Sequence, residues 1–223
     1  MLNLIMSAEK NCTCLHIGCG LNSIDGWLNI DASPTLKISK IPILGNYILS
    51  LLGGPQWPNS VETGDIVKGL KIGNCRFEII FAAHVLEHLS LSDFHVAMSN
   101  IYSYLKPGGV FRTIVPDLEQ YIATYNNHRS DSALSTKAAH EFMEASLIGY
   151  RGSRSRHYQR LREALSNSRH QWMWDEPSLT NAFSQHGFKN IRRCSYGDWS
   201  DPRFGAIEKE SSYLNAIGIE GTK

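Results

Sequence analysis

The run His84-Val85-Leu86-Glu87-His88-Leu89 sets two imidazoles and a carboxylate at i, i+3 and i+4, on one face of a helical turn. Side chains of this type exchange protons near neutral pH and suit general-base removal of a proton from an attacking hydroxyl. His170 and Asp117 are the other candidates for that work. A second group suits ligand binding. Gly18 and Gly20 in "CLHIGCG" permit close backbone approach to a ligand. Asp31 at the end of "WLNID" and Asp65 after Gly64 offer acceptors for ribose hydroxyls and for an exocyclic amine. A dinucleotide fingerprint needs a third glycine where this chain has Ser23, so the turn by itself specifies no ligand.

Something must hold these residues along one edge. "CTCLHIG" (12–18), "WLNID" (27–31), "FEIIFAA" (77–83) and "GVFRTIVPD" (109–117) are short apolar runs between turn signals, and a weaker strand ends near "VETGDIV" (61–67). Near-continuous apolar strands fit a parallel sheet covered on both faces. Phe94, Met98, Ile101 and Leu105 recur at helical spacing before Pro107-Gly108-Gly109, so strand, helix and strand form a right-handed crossover. Ligands of such sheets lie outside the carboxyl ends of the strands, where Gly18, Gly20, Asp31, Asp65, Ala82, Ala83, His84 and Asp117 all fall.

The C-terminal half reads differently. Residues 118–169 are helical and polar, with Tyr121, Tyr125, Phe142, Leu147, Tyr158 and Leu161 as inward positions. "DEPSLTNAFSQHGF" is a capped helix ending at Gly187, and "KNIRRCSYG" and "SSYLNAIGIEGT" are strands. The 223 residues carry 22 Lys+Arg against 21 Asp+Glu, a formal net charge of +1 that excludes a global bias toward nucleic acid. Five cysteines form no metal-ligand pairs. Their odd number, without an export signal, points to reduced thiols and a cytoplasmic setting. No apolar run has the ~20 residues of a membrane span.

Taken together, "LHIGCG", "GWLNIDAS", "GDIVKGL", "FEIIFAAHVLEHL" and "LKPGGVFRTIVPDLE", followed by "RHQWMWDEPSLTNAFSQHGFKNIRRCSYG", resemble the S-adenosylmethionine-dependent methyltransferases of Rossmann-like fold. The nearest likeness is to a bacterial subgroup associated with surface-polysaccharide and other glycan synthesis. The resemblance implies an α/β, doubly wound, mostly parallel seven-stranded sheet with helical insertions. It also implies S-adenosylmethionine as cofactor, with the glycine turn at Gly18, Cys19 and Gly20, the ribose acid at Asp31, and the adenine side at Asp65 and Ile66. Ala82, Ala83 and His84 would border the methionine part. The chain departs from the family in two ways: only ten residues separate Gly20 from Asp31, too few for a full helix and strand, and Glu78 stands where an aspartate is common. "HVLEHL" also resembles a Glu-x-x-Glu-His metal arrangement of some other methyltransferases, with His84, Glu87 and His88 as the set. The alternative, a polar pair tying down the helix start without metal, is the working assignment.

The expected organisation is a single domain over 1–223, with a lid-like insertion at 35–60 and a helical, arginine-rich, acceptor-side insertion at 118–170. Within the latter, 150–169 holds six arginines and one acid, a solvated helix face or a cradle for a phosphate on the acceptor. Ile41, Ile43, Leu44, Ile48, Leu51 and Leu52 make 36–52 either a lid packed on the core or a patch for peripheral membrane contact. The expected activity is O-methylation of a glycan precursor or related small molecule, with no nucleic acid as partner. Transfer to nitrogen or a carboxylate, or a catalytically silent cofactor-binding protein on this fold, are the alternatives.

Overall fold

A computed structural model describes residues 13–149 and 169–223. Seven strands form one sheet: β1 (Cys14–Ile17), β2 (Leu28–Asp31), β3 (Val61–Thr63), β4 (Phe77–Ala83), β5 (Leu105–Pro116), β6 (Lys189–Cys194) and β7 (Ala216–Thr222), in the order β3-β2-β1-β4-β5-β7-β6. β1 to β5 pair in parallel, while β7 runs antiparallel between β5 and β6. This is the expected mostly parallel, doubly wound sheet. Every residue of β1 and β2 is buried, which matches their lack of polar alternation.

The helices are α1 (Pro34–Ser39), α2 (Gly45–Leu51), α3 (Leu91–Tyr104), α4 (Leu118–Ser130), α5 (Ala138–Ala145) and α6 (Glu176–Gln185). α3 starts where the Ser90 side chain accepts from the Asp93 amide, and it buries Phe94, Ala97, Met98, Ile101 and Tyr104 at helical spacing. It ends one residue sooner than expected. Leu105 opens β5, because Pro107 disfavours helical backbone just before it and cannot donate to the preceding turn. α6 carries a reciprocal Asp175–Ser178 capping box and stops before Gly187 at φ +88°. One face of the sheet packs against α3 and α6. The other is closed by Trp27, Phe81, Phe204 and Ile207.

One insertion expectation changes. Leu147, read as inward, is exposed and sits at φ +55°, just past the end of α5, where the chain turns away from the Tyr125–Phe142 ring contact. Tyr158, Leu161 and most of the arginine run lie outside the described residues. In the 35–60 insertion only Leu36 and Leu49 are buried among the large apolar side chains, whereas Ile41, Ile43, Leu44, Tyr47, Leu51 and Leu52 face outward. Ile43 is 99% exposed and at φ +66°, a region that β-branched residues rarely occupy. Among the described residues no helix is long and apolar enough to cross a membrane. The thiols of Cys14, Cys19 and Cys194 are free and buried, but Cys75 is disulfide-bonded, contrary to the all-reduced expectation.

Between β1 and β2 there is no helix, and a side chain organises the short loop instead. Asn29 of β2 donates to the carbonyls of Ile24 (2.9 Å) and Trp27 (3.0 Å) and accepts from the Ile24 amide. His16 of β1 donates through Nδ1 to Asn29 Oδ1 at 3.3 Å. Burial holds the His16 pKa down at about 4. The unfolded chain takes up this proton near ~6.5, so the His16 contribution is complete above that pH and is lost as pH falls from there toward 4, by about 1.4 kcal/mol per unit. A His16→Gln variant, which keeps an amide donor for Asn29, is expected to lose about 2 kcal/mol less stability than wild type between pH 7 and pH 5 in urea titrations. Equal losses would show that His16 charges at no cost.

Candidate active site

The strand order brings the carboxyl ends of β3, β2, β1 and β4 side by side, and with them the residues nominated from sequence. Gly18 and Gly20 occupy the left-handed region at φ +64° and +54°. Asp31 fastens this turn: Oδ2 accepts from the Gly20 amide at 2.9 Å and Oδ1 from the Ser33 amide at 2.7 Å, while the Cys19 amide reaches the Ile30 carbonyl. The Cys19 thiol is pushed up to about 12 by burial, so it stays protonated and is no nucleophile. Asp65 caps its own turn, with Oδ1 accepting from the amides of Val67 (3.0 Å) and Lys68 (3.2 Å). Ile66 and Ala82 are buried and Ala83 is half-buried at the end of β4.

His84 follows β4 with φ +54°, so its ring leaves the line of the strand, and its amide donates to the Ile114 carbonyl at 2.9 Å. Nε2 donates to the Ser212 carbonyl at 2.9 Å, and Nδ1 lies 3.3 Å from Glu87 Oε1. The neighbouring carboxylate raises the His84 pKa. Nε2 is therefore taken up by Ser212, while Nδ1 faces the Glu87 carboxylate without a hydrogen bond to it. Glu87 and His88 lie on a single 3₁₀ turn, Leu86–His88, rather than on a full helix. That turn is covered by the segment entering α6: the amides of Gln171 and Trp172 donate to the Glu87 carbonyl, and Gln171 Nε2 donates to the His88 carbonyl at 2.7 Å.

The same segment delivers His170, whose Nε2 is 3.9 Å from Glu87 Oε1 and whose ring meets that of His88 edge-on at 5.0 Å. Burial lowers the His170 pKa, so its ring is neutral at pH 7. Asp117 is placed differently. Its buried carboxylate caps α4 by accepting from the Glu119 amide at 3.0 Å and from Gln120 Nε2 at 3.2 Å. These bonds favour a structural part over that of a base. Arg154, Arg156 and Arg160 of the expected phosphate cradle lie outside the described residues.

A family model described as a methyltransferase domain matches residues 9–193. The chain belongs to this family of S-adenosylmethionine-dependent methyltransferases. No protein of curated function matches the sequence of this methyltransferase. Among solved structures it is similar to PigF with SAH (16% identity, TM-score 0.48, covering 96% of this chain), and it spans only 51% of the PigF chain. It is also similar to the magnesium protoporphyrin IX methyltransferase ChlM from Synechocystis (12% identity, TM-score 0.47, 98% of this chain and 78% of that one). A third likeness is to an Archaeoglobus fulgidus SAM-dependent methyltransferase (15% identity, TM-score 0.49, 100% and 91%).

Sequence reasoning missed Ser212, which lies 128 residues from His84 and presents only a backbone carbonyl. No pattern of residue types signals such a contact. It also missed the interlock between the methyltransferase's two motifs. A Cβ on Gly18 would lie 2.3 Å from Val85 Cγ2, whereas one on Gly20 meets nothing within 4 Å. Gly20→Ala is therefore expected to lose about 1–2 kcal/mol, the cost of left-handed backbone alone. Gly18→Ala adds a clash and should lose more, part of it recovered in Gly18→Ala/Val85→Ala. Equal losses in thermal melts of the two single variants would refute the interlock.

Proposed function

We propose that this methyltransferase places the ribose of its cofactor against Asp31 and the methyl end beside His84, and transfers the methyl group to an oxygen of a glycan precursor or related small molecule. The observation that carries this reading is the gathering of His84, His88 and His170 around Glu87 at the end of β4, next to the glycine turn. The acceptor oxygen attacks the methyl carbon in line with the carbon–sulfur bond. That bond breaks with its electron pair on sulfur, and the hydroxyl proton leaves to a neighbouring base or water. A hydroxyl acceptor needs this proton removed, and a histidine-lined edge suits that need. The glycan class rests on the sequence resemblance.

Incubation with isotopically labelled S-adenosylmethionine and a panel of activated or lipid-linked sugars is expected to yield a base-stable, label-bearing ether. Base-labile release of methanol would assign a carboxylate acceptor instead, and binding of S-adenosylhomocysteine without turnover on any acceptor would favour the silent alternative. For the cofactor edge, Asp31→Asn should weaken S-adenosylhomocysteine binding by ~1.5–3 kcal/mol in isothermal titration. An unchanged affinity would remove Asp31 from the ribose site.

The outward apolar side chains of 36–52 support peripheral contact with a lipid surface through this insertion. Wild-type protein is expected to sediment with anionic vesicles and an Ile43→Asp/Leu44→Asp variant to remain in the supernatant. Equal recovery of both in the supernatant would return the insertion to a simple lid.

A further inference from the structure

The Glu87 carboxylate is completely buried, and neither oxygen has a hydrogen-bond partner, since the nearest imidazole, His84 at 3.3 Å, lies off the line of a hydrogen bond. A buried carboxylate in this condition is costly unless a positive charge sits against it. Around Oε1 stand His170 Nε2 at 3.9 Å and His88 Nε2 at 4.0 Å, and one ligand atom from each of Glu87, His88 and His170 lies within 4.8 Å of the others. Ligands ~2.0–2.2 Å from a tetrahedral zinc ion stand about 3.4 Å apart, so these three atoms close onto one ion with small side-chain shifts.

The surrounding bonds set the tautomers. His88 Nδ1 makes a 2.9 Å hydrogen bond to the Arg169 carbonyl, and since a carbonyl only accepts, Nδ1 carries the proton. In that tautomer the Nε2 lone pair of His88 faces Glu87. His84 is held in the same sense by Ser212, its Nδ1 lone pair facing the carboxylate when the ring is neutral. Lone pairs facing a carboxylate repel it, and a cation between them removes the repulsion. Backbone carbonyls orienting ligand histidines in this way are the usual outer support of a metal centre.

We propose that Glu87, His88 and His170 bind one divalent transition-metal ion, zinc by preference, with a fourth position toward His84 that takes the acceptor's hydroxyl oxygen; this last part rests on the methyl-transfer reading above. Two imidazoles and a carboxylate with one open position are a zinc set of the catalytic type. A hydroxyl on such an ion loses its proton to water near neutral pH, and the oxygen then attacks the methyl carbon as the carbon–sulfur bond breaks onto sulfur. The set differs from the sequence-level alternative of His84, Glu87 and His88. His170 enters as a ligand, and His84, whose side chain is 40% exposed, stands at the open side.

The test uses the whole chain, stripped with chelator and dialysed against zinc in millimolar magnesium. Wild type should retain one equivalent of zinc, and cobalt in its place should give the intense visible bands of a four-coordinate ion. Glu87→Gln and His170→Ala should each weaken zinc binding by more than the ~10 to 100-fold that loss of an outer-shell partner costs. Circular dichroism and S-adenosylhomocysteine titration establish that the variants are folded. Wild-type protein that retains no zinc, or variants that bind it as wild type does, would overturn the site, and His84 in its charged form would then be the counter-ion of Glu87. Should a variant fail to fold, the cobalt spectrum of wild type decides alone. Full methyl transfer by metal-free protein would defeat the role of the ion and leave the methyltransferase reading standing. Zinc bound at one equivalent with no oxygen acceptor methylated would do the reverse.

Discussion

A single guanidinium ties the C-terminal quarter of the chain to the centre of the sheet. Arg112 of β5 is wholly buried and donates to the Glu208 and Glu220 carboxylates, the Tyr213 hydroxyl and the carbonyls of Ser195 and Asp198. Its planar fork of donors meets acceptors on β7 and in the segment between β6 and β7, and a lysine in its place lacks the geometry to do so. Breaking a buried charge cluster on one side typically costs ~3–5 kcal/mol because the remaining charges stay unpaired. Tyr213 is one residue from Ser212, whose carbonyl holds His84. The orientation of an imidazole at the mouth of the site thus follows from a charge buried deep in the sheet.

The glycine turn and the histidine cluster are joined as well, by contact rather than by charge. Val85 fills the space that a side chain on Gly18 would take, so the turn after β1 and the turn after β4 fit together as one surface. Asp31 adds the third strand end by gripping the Gly20 amide. Such hydrogen bonds fix the carboxylate within the turn. The 3₁₀ turn has little regular structure of its own and depends on the Gln171 and Trp172 amides for its shape. The two halves are preorganised by different means, one by local turns and one by a remote segment.

What was legible in the sequence follows this division. Strand positions were readable because buried parallel strands are continuous apolar runs, and α6 because a capping residue, an amphipathic stripe and Gly187 coincide over a few residues. The positions of the glycine turn and of Asp31 at a strand end were readable for the same local reason. Leu147 was misread because helical spacing continues past α5 after the helix has ended. Asp117 was nominated because it ends a strand, and the same position starts α4, where its carboxylate caps the helix. The approach of His170 to Glu87 crosses more than eighty residues, and no spacing rule extends that far. The outward turn of Ile41, Ile43, Leu44, Tyr47, Leu51 and Leu52 was equally hidden, since an apolar run reads alike whether it faces a core or solvent.

The place of β7 has a consequence for how the chain reaches its native state. β5 runs parallel beside β4 after a short local crossover, but its other neighbour is β7, with Arg112 and Glu220 separated by 108 residues. Until β7 inserts, one edge of a twelve-residue strand keeps its amides and carbonyls unpaired, and Arg112 has no carboxylate on β7. Pairing at such separation is slow because loop closure precedes any return in contact energy, and an open edge of this kind is a template for pairing with other chains. The interval before the last strand docks is therefore when this protein is most prone to aggregate, and factors that shield a bare β5 edge would raise its refolding yield without altering the native fold.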